Sequence, residues 1–221
     1  MKRMVFALSL AVWVAIYASW AWGAKEKLGD IVEEEIWVIF AHDPAGYLLD
    51  AWENFLDGDL QEGAYNMRKA KALLRLEIYR ADEESKGALE VSARELEKLA
   101  KAAEEGTAPG TKELKKVFAQ TEHALAHHHY QKALDYQSRK EFEKMTYALD
   151  AAATHSLYGS VWAEEELDQA DAVATKRARS AVRKVIKGAK STPSDLREAI
   201  KGIGRAIKEL GDKISPRKEG S

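Results

Sequence analysis

Histidines are the residues of this sequence best suited to chemistry, and five of the 6 lie in two neighbouring helical segments. His123 and His127 are four residues apart, so they share one face of a helix. His128 and His129 lie towards the opposite side of that helix, and the following helix carries His155. Imidazole nitrogens are common ligands of transition metals, so this cluster is the first candidate for a binding site.

The heights of these histidines along two antiparallel helices predict which of them meet. If the chain reverses near Arg139, His155 lies about 16 residues past the turn and faces a point 16 residues before it, which is His123. His155 is therefore expected at the level of His123 and His127. Three imidazoles that converge there suit zinc, copper or nickel.

Two further residues join this predicted metal site. An internal offset of 82 residues places His42 beside His123, and Glu122 is suited to act as a direct ligand or as a partner of a ligand. The alternative is that the histidines form a partly solvated helix face without a metal. The predicted metal ligands are thus His123, His127, His155, His42 and Glu122.

Motifs of known enzyme classes are missing from the sequence. No histidine follows a glutamate at the Glu-x-x-His spacing of di-iron bundles, and there is no His-Glu-x-x-His or Gly-x-Ser-x-Gly motif. Gly202 and Gly204 lie in an amphipathic helical pattern, which is not the setting of a dinucleotide-binding loop. The absence of cysteine excludes disulfides, iron–sulfur ligation and thiol nucleophiles. The sequence therefore predicts a protein that is not an enzyme.

The elements that position these residues are predicted to be helices. Only 4 residues are proline, and the apolar residues recur at helical spacing. We expect an all-α bundle of pseudo-repeated antiparallel helix hairpins over about 43–106 and 111–171. A basic C-terminal hairpin over 172–214 completes the helical domain, which spans 24–214, and a flexible tail over 215–221 follows it.

Several helix boundaries follow from local signals. Helices are expected over Glu26–Ala41, from Asp43-Pro44 to Phe55, from Thr111 to Ser138, over about Ala172–Lys187, and from Thr192-Pro193 onwards. The segment from Leu60 to Gly106 is expected to run as one helix with a kink near Ser85–Gly87. Ser138 and Glu141 have the spacing of a capping box for the helix that follows them.

Residues 1–23 have the pattern of a secretory signal. A short positive start precedes an uncharged apolar run from Met4 to Trp22, and Ala21 and Gly23 offer a cleavage site before Ala24. The run is also close to the length of a membrane-spanning helix, so a retained N-terminal anchor is the alternative. Both alternatives predict a periplasmic or secreted protein, either free or attached to the membrane.

Charge is distributed unevenly along the chain. Residues 24–171 contain 18 Lys and Arg against 31 Asp and Glu, whereas residues 172–221 contain 14 against 5. The basic hairpin either docks on the acidic remainder of the protein or contacts an anionic membrane surface. Nucleic acid is not favoured as a partner, because the acidic half would repel it.

Three segments resemble a known family. The segments are FLDGDLQEGAYNMRKAKALL, KEFEKMTYALDAAATHS and ATKRARSAVRKVI, and their order resembles YfdX-type periplasmic proteins from about Tyr47 onwards. The resemblance implies an exported, cysteine-poor, all-helical protein without an established enzymatic role. The histidine cluster and the Glu-rich stretch depart from that pattern, and no functional residue is carried over.

Three functions are compatible with these features. The first is an exported, non-catalytic binding or interaction protein, such as a stress or accessory factor, which contacts a protein partner or a second copy of itself. A small ligand between helices belongs to the same hypothesis, because aromatic residues recur in the hairpins. The alternative is a protein that binds zinc, copper or nickel through the histidine cluster. The second alternative is a membrane-anchored accessory subunit of a larger complex.

Overall fold

Helices are the elements that the structure describes, which confirms the all-α class predicted from the sequence. The structure is a computed structural model that describes residues 43–163, residue 180 and residues 193–214, all within one unit, Phe40–Ser221. The expected helix at Glu26–Ala41 lies outside these residues, as does the expected helix at Ala172–Lys187 apart from Ser180. The described helices are α1 (Asp43–Asp57), α2 (Leu60–Arg80), α3 (Glu83–Glu104), α4 (Thr111–Ser138), α5 (Phe142–Trp162) and α6 (Pro193–Ile214).

Short turns fold consecutive helices back on each other. Gly58 takes a positive φ of 81° between α1 and α2, and the Asp59 carboxylate then accepts a hydrogen bond of 3.0 Å from the backbone N–H of Glu62. Lys140 takes a φ of 61° in the turn between α4 and α5. Each of these helices contacts the next, and α6 packs on both α4 and α5.

The predicted offset of 82 residues relates α2 to α5, although the pseudo-repeat itself stays a prediction. Both helices contain 21 residues, and the offset of 82 places the first and last residues of α2 on those of α5. The helices that precede them differ in length, because α1 has 15 residues and α4 has 28. Because of its greater length, α4 contacts both α3, which precedes it, and α5 and α6, which follow it.

The expectation of one helix from Leu60 to Gly106 is wrong. α2 ends at Arg80 and α3 begins at Glu83, because Ala81 is extended and the Asp82 carboxylate accepts a hydrogen bond of 2.7 Å from the backbone N–H of Ser85. An N-cap aspartate followed by two glutamates is a helix start signal without glycine or proline.

The expected capping box of Ser138 and Glu141 is also absent from this described turn. Ser138 is the last residue of α4, and its hydroxyl donates to the carbonyl oxygen of Asp135 at 2.7 Å. Glu141 occupies the N-cap of α5 without a side-chain cap and instead pairs with Lys144 at 3.0 Å. Lys140, with its positive φ, lies in the turn between Ser138 and Glu141, so these two residues do not belong to the same helix start.

Two apolar clusters form the core, and α4 takes part in both. Leu125 belongs to the cluster that α1, α2 and α3 share with the first half of α4. Ala126 begins the second cluster, which also contains Leu149 of α5 and Ile203 of α6. The amphipathic pattern of α6 is confirmed, since Ile203 is buried and Lys201 and Arg205 are exposed. Within the described residues, no helix is long and apolar enough to span a bilayer.

Candidate metal centre

Five buried ionisable side chains from three helices lie close to the point where α4 passes between the two apolar clusters. Seven residues separate Glu122 from His129 on α4, so both face the same side after two turns. His128 is turned by about 100° from His129 and faces α2. All five are at most 5% exposed, and they are Glu77 of α2, Glu122, His128 and His129 of α4, and His155 of α5.

Glu77 lies between the two adjacent histidines of α4. Its Oε2 is 2.9 Å from Nε2 of His128, and its Oε1 is 3.9 Å from Nε2 of His129. Among the described residues, Nε2 of His129 and Nδ1 of His128 have no hydrogen-bond partner. A buried polar atom without a partner costs about 1–3 kcal/mol, so these nitrogens are suited to a ligand.

The protonation of this group favours a cation. Burial opposes ionisation of Glu77, but the attraction of His129 and His128 and the hydrogen bond with His128 outweigh it and bring the pKa of Glu77 to about 2. Burial lowers the pKa of His129 well below its usual value, so that imidazole is neutral near pH 7. With His129 neutral, the hydrogen bond from His128 and the charge of Lys132 keep Glu77 ionised. An ionised carboxylate and a neutral imidazole are the forms that bind metal ions.

Glu122 and His155 form a second buried pair next to the first. Oε2 of Glu122 is 2.6 Å from Nδ1 of His155, and both side chains are fully buried. The ring of His155 stacks on the ring of His129 with 5.4 Å between centroids and 6° between planes. Burial raises the pKa of Glu122 more than the charge and hydrogen bond of His155 lower it.

The predicted level of His155 is close to the observed one, but its partner differs. His155 meets Glu122, one residue before the predicted His123, and one residue turns the contact by about 100° around α4. The group of three possible ligands that the structure brings within 4.8 Å of one another is Glu77, His128 and His129, and no second such group occurs among the described residues. The structure therefore does not group His123, His127 and His155.

His123 and His127 face other neighbours. His123 packs against α6, where a Cβ added to Gly211 would lie 2.6 Å from its Nε2, and the backbone of Ile207 hydrogen-bonds its ring. Burial, which is the main cause, and the charge of His127 lower the pKa of His123. His127 is half-buried, with Nε2 3.8 Å from Oε1 of Glu84. The fourth predicted histidine, His42, lies outside the described residues.

Glu77, His128 and His129 were not predicted as one site, although the sequence contains a signal for it. The buried stripe of α2 runs through Met67, Ala70 and Leu74, and Glu77 is the next position at this helical spacing. His128 and His129 follow the buried Leu125 by three and four residues in the same way. Ionisable residues at positions on the buried face of a helix, where the spacing predicts apolar residues, indicate a buried polar site.

A separate cavity lies between α3 and α4. Its volume is about 260 Å³, and Val91, Glu95 and Val117 are part of its wall, together with His123 and Ile214. It is a place between helices of the kind predicted for a small ligand. Whether a ligand binds there stays a prediction.

The fold and this centre together define an all-helical protein with a carboxylate–imidazole cluster in its core. No family model, curated protein or solved structure matches the chain. The resemblance to YfdX-type proteins therefore stays a prediction. So does the export signal, because residues 1–23 lie outside the described residues.

Proposed function

We propose that this protein binds a divalent transition-metal ion between α2 and α4 and does so without catalysis. The observation that carries the proposal is the approach of Glu77, His128 and His129, whose ligand atoms lie within 4.8 Å of one another inside the bundle. Buried charges in proteins are normally paired or bound to metals. A cation at this position would satisfy Nε2 of His129 and balance the charge of Glu77.

The donor set limits which cations fit. Two imidazoles and one carboxylate suit zinc, copper(II) and nickel, as the histidine cluster already predicted. Calcium and magnesium are not favoured, because they prefer six or more oxygen ligands or several bound waters. Binding at Nε2 of His128 requires the proton that this nitrogen donates to Glu77 to move to Nδ1 or to leave for solvent. Because the ligands must be deprotonated to bind a metal ion, affinity is expected to fall at acid pH.

The first prediction tests this site with matched histidine variants. The protein without a tag is freed of metal with a chelator and titrated with zinc, nickel and copper by calorimetry. We expect sub-micromolar binding, and a loss of affinity of at least about 100-fold in His129→Ala and in Glu77→Gln, because each removes one of three ligands. His127→Ala is the control, since it alters the neighbouring half-buried histidine.

Two results would contradict the proposed site. Equal affinity in the wild type and His129→Ala would show that the cation binds elsewhere. Loss of affinity in His123→Ala and His127→Ala, with His129→Ala unaffected, would restore the set predicted from the sequence. Circular dichroism of each variant shows whether it is folded before its affinity is interpreted.

An interaction role is the second candidate, and an exposed apolar stripe on α2 favours it. Tyr65, Leu76 and Tyr79 are 52%, 50% and 88% exposed, and Leu76, which follows Tyr65 by 11 positions, lies on nearly the same side of the helix. We propose a second copy of the chain as its partner. Sedimentation of the wild type and of Leu76→Glu tests this, and a wild type that stays monomeric at high concentration contradicts it.

A further inference from the structure

Glu122 and His155 are buried in the core, yet neither belongs to the group of three proposed ligands. Both side chains are fully buried, and a hydrogen bond of 2.6 Å joins them. A buried polar pair gives little net stability compared with apolar residues of the same volume. The position of this pair beside His129 indicates a different role.

The orientation of His129 is not set by a hydrogen bond at its ligand atom. Within the described part of the chain, Nε2 of His129 has no hydrogen-bond partner, and the nearest carboxylate oxygen, Oε1 of Glu77, is 3.9 Å away. Two rings lie beside it: the ring of His128 at 5.2 Å between centroids and 54° between planes, and the ring of His155 at 5.4 Å and 6°. Of these two, His155 is the parallel one, so its ring lies along the face of His129 and restricts the tilt of that plane.

Close packing of α5 on α4 holds His155 in that place. Gly159 follows His155 by one helical turn, and a Cβ at Gly159 would lie 3.3 Å from Cβ of Glu122 and 2.5 Å from Cδ2 of Leu210. The two backbones come this near because glycine occupies the crossing. Glu122 then reaches Nδ1 of His155 and fixes the rotation of its ring.

We propose that Glu122 and His155 are positioning residues that hold the imidazole of His129 with Nε2 towards Glu77. The pair is not part of the group of three proposed ligands and acts through the stacked ring. This inference rests on the proposed metal-binding function and adds the residues that determine its affinity. The hydrogen-bonded partners of metal-binding histidines commonly have this role, although here the contact is a stack.

The second prediction uses cobalt(II) as the probe, because its visible absorption reports ligand geometry. Glu122→Leu removes the partner of His155, and we expect about 10–100-fold weaker binding with an altered cobalt spectrum. Adding His155→Phe to Glu122→Leu should restore the affinity to within about threefold, because a phenyl ring keeps the stack and needs no polar partner. Thr154→Val is the control, since it removes a neighbouring buried hydroxyl and leaves the stack.

The outcomes separate this inference from the proposed function. Unchanged affinity in folded Glu122→Leu overturns the positioning role. A folded double variant that does not regain affinity also overturns it, and this result would indicate that His155 is itself a ligand. If Glu122→Leu does not fold, comparison of the double variant with the wild type still decides. If the wild type binds neither cobalt nor zinc, nickel or copper, the proposed function fails. The ring-proton NMR shifts of His129 then decide the inference, because unchanged shifts in the variants would overturn it.

Discussion

At the scale of single residues, Glu77 shows how a carboxylate is kept ionised inside a helical core. It is 3% exposed and contacts two imidazoles, whereas Glu84 pairs with His127 at the surface and is 73% exposed in its side chain. The same two residue types therefore form one buried and one exposed pair on neighbouring helices. Their contributions to stability are expected to differ strongly, because water screens only the exposed pair.

The third prediction compares these two pairs in the metal-free protein. Glu77→Ala leaves His128 and His129 buried without their carboxylate, and we expect the free energy of unfolding to fall by about 3–5 kcal/mol. Glu84→Ala should change it by less than about 1 kcal/mol. Urea unfolding in the presence of a chelator measures both. Equal effects of the two substitutions would show that the buried pair has no special cost.

The sequence was sufficient for the level of His155 but not for its partner. The level follows from the helical rise and from a turn near Arg139, which are both local properties. The rotation of α4 depends on how α2, α5 and α6 pack against it, and these contacts join residues far apart in the chain. Glu77 and His128, for example, are 51 residues apart. Local patterns carry no information about such a pairing.

At the scale of helices, the sequence predicted the bounds of one long helix well. α4 runs from Thr111 to Ser138, as expected, whereas the break at Ala81 and Asp82 was missed. Its signal was an aspartate whose carboxylate bonds a backbone N–H, and such residues also occur inside helices. The crossing of α4, α5 and α6 at Gly159 could not be predicted, because it depends on side chains from all three.

The fourth prediction concerns two helical glycines with opposite roles. A Cβ at Gly159 would meet Leu210 at 2.5 Å, so we expect Gly159→Ala to lower the free energy of unfolding by about 1–3 kcal/mol. Gly87 is exposed in α3 with no atom within 4 Å of an added Cβ, so Gly87→Ala should raise it by about 0.5–1 kcal/mol. Thermal unfolding of both variants checks the signs. A stabilising Gly159→Ala would contradict the close crossing.

At the scale of the whole molecule, the buried ionisable groups make stability depend on pH. The pKa values of His123 and His129 in the folded protein are lowered from 6.5. Below that pH the unfolded chain therefore binds more protons than the folded one, and the free energy of unfolding decreases as the pH is lowered. The pKa of Glu77 is lowered from 4.5 to about 2, so further stability is lost as pH falls from 4.5 towards 2. Glu122 acts in the opposite direction, because its pKa is raised.

The fifth prediction follows from these signs. In the metal-free protein, the melting temperature should fall steadily as the pH is lowered from about 7.5 to about 4.5. His129→Gln should flatten the part of this curve below pH 6.5, because one group that protonates on unfolding is removed. His127→Gln, which changes a half-buried neighbour, serves as the control. A melting temperature that rises on acidification would show that Glu122 dominates instead.

The buried face of α5 beside His155 consists largely of very small side chains. Ala148, Ala151, Ala152 and Ala153 are all buried there. Alanine has no rotamers to lose when it is buried, so this wall forms with almost no loss of side-chain conformational entropy. It also has no alternative shapes with which to accommodate a displaced neighbour. The face of α5 next to His155 therefore forms with little loss of entropy and cannot change its shape.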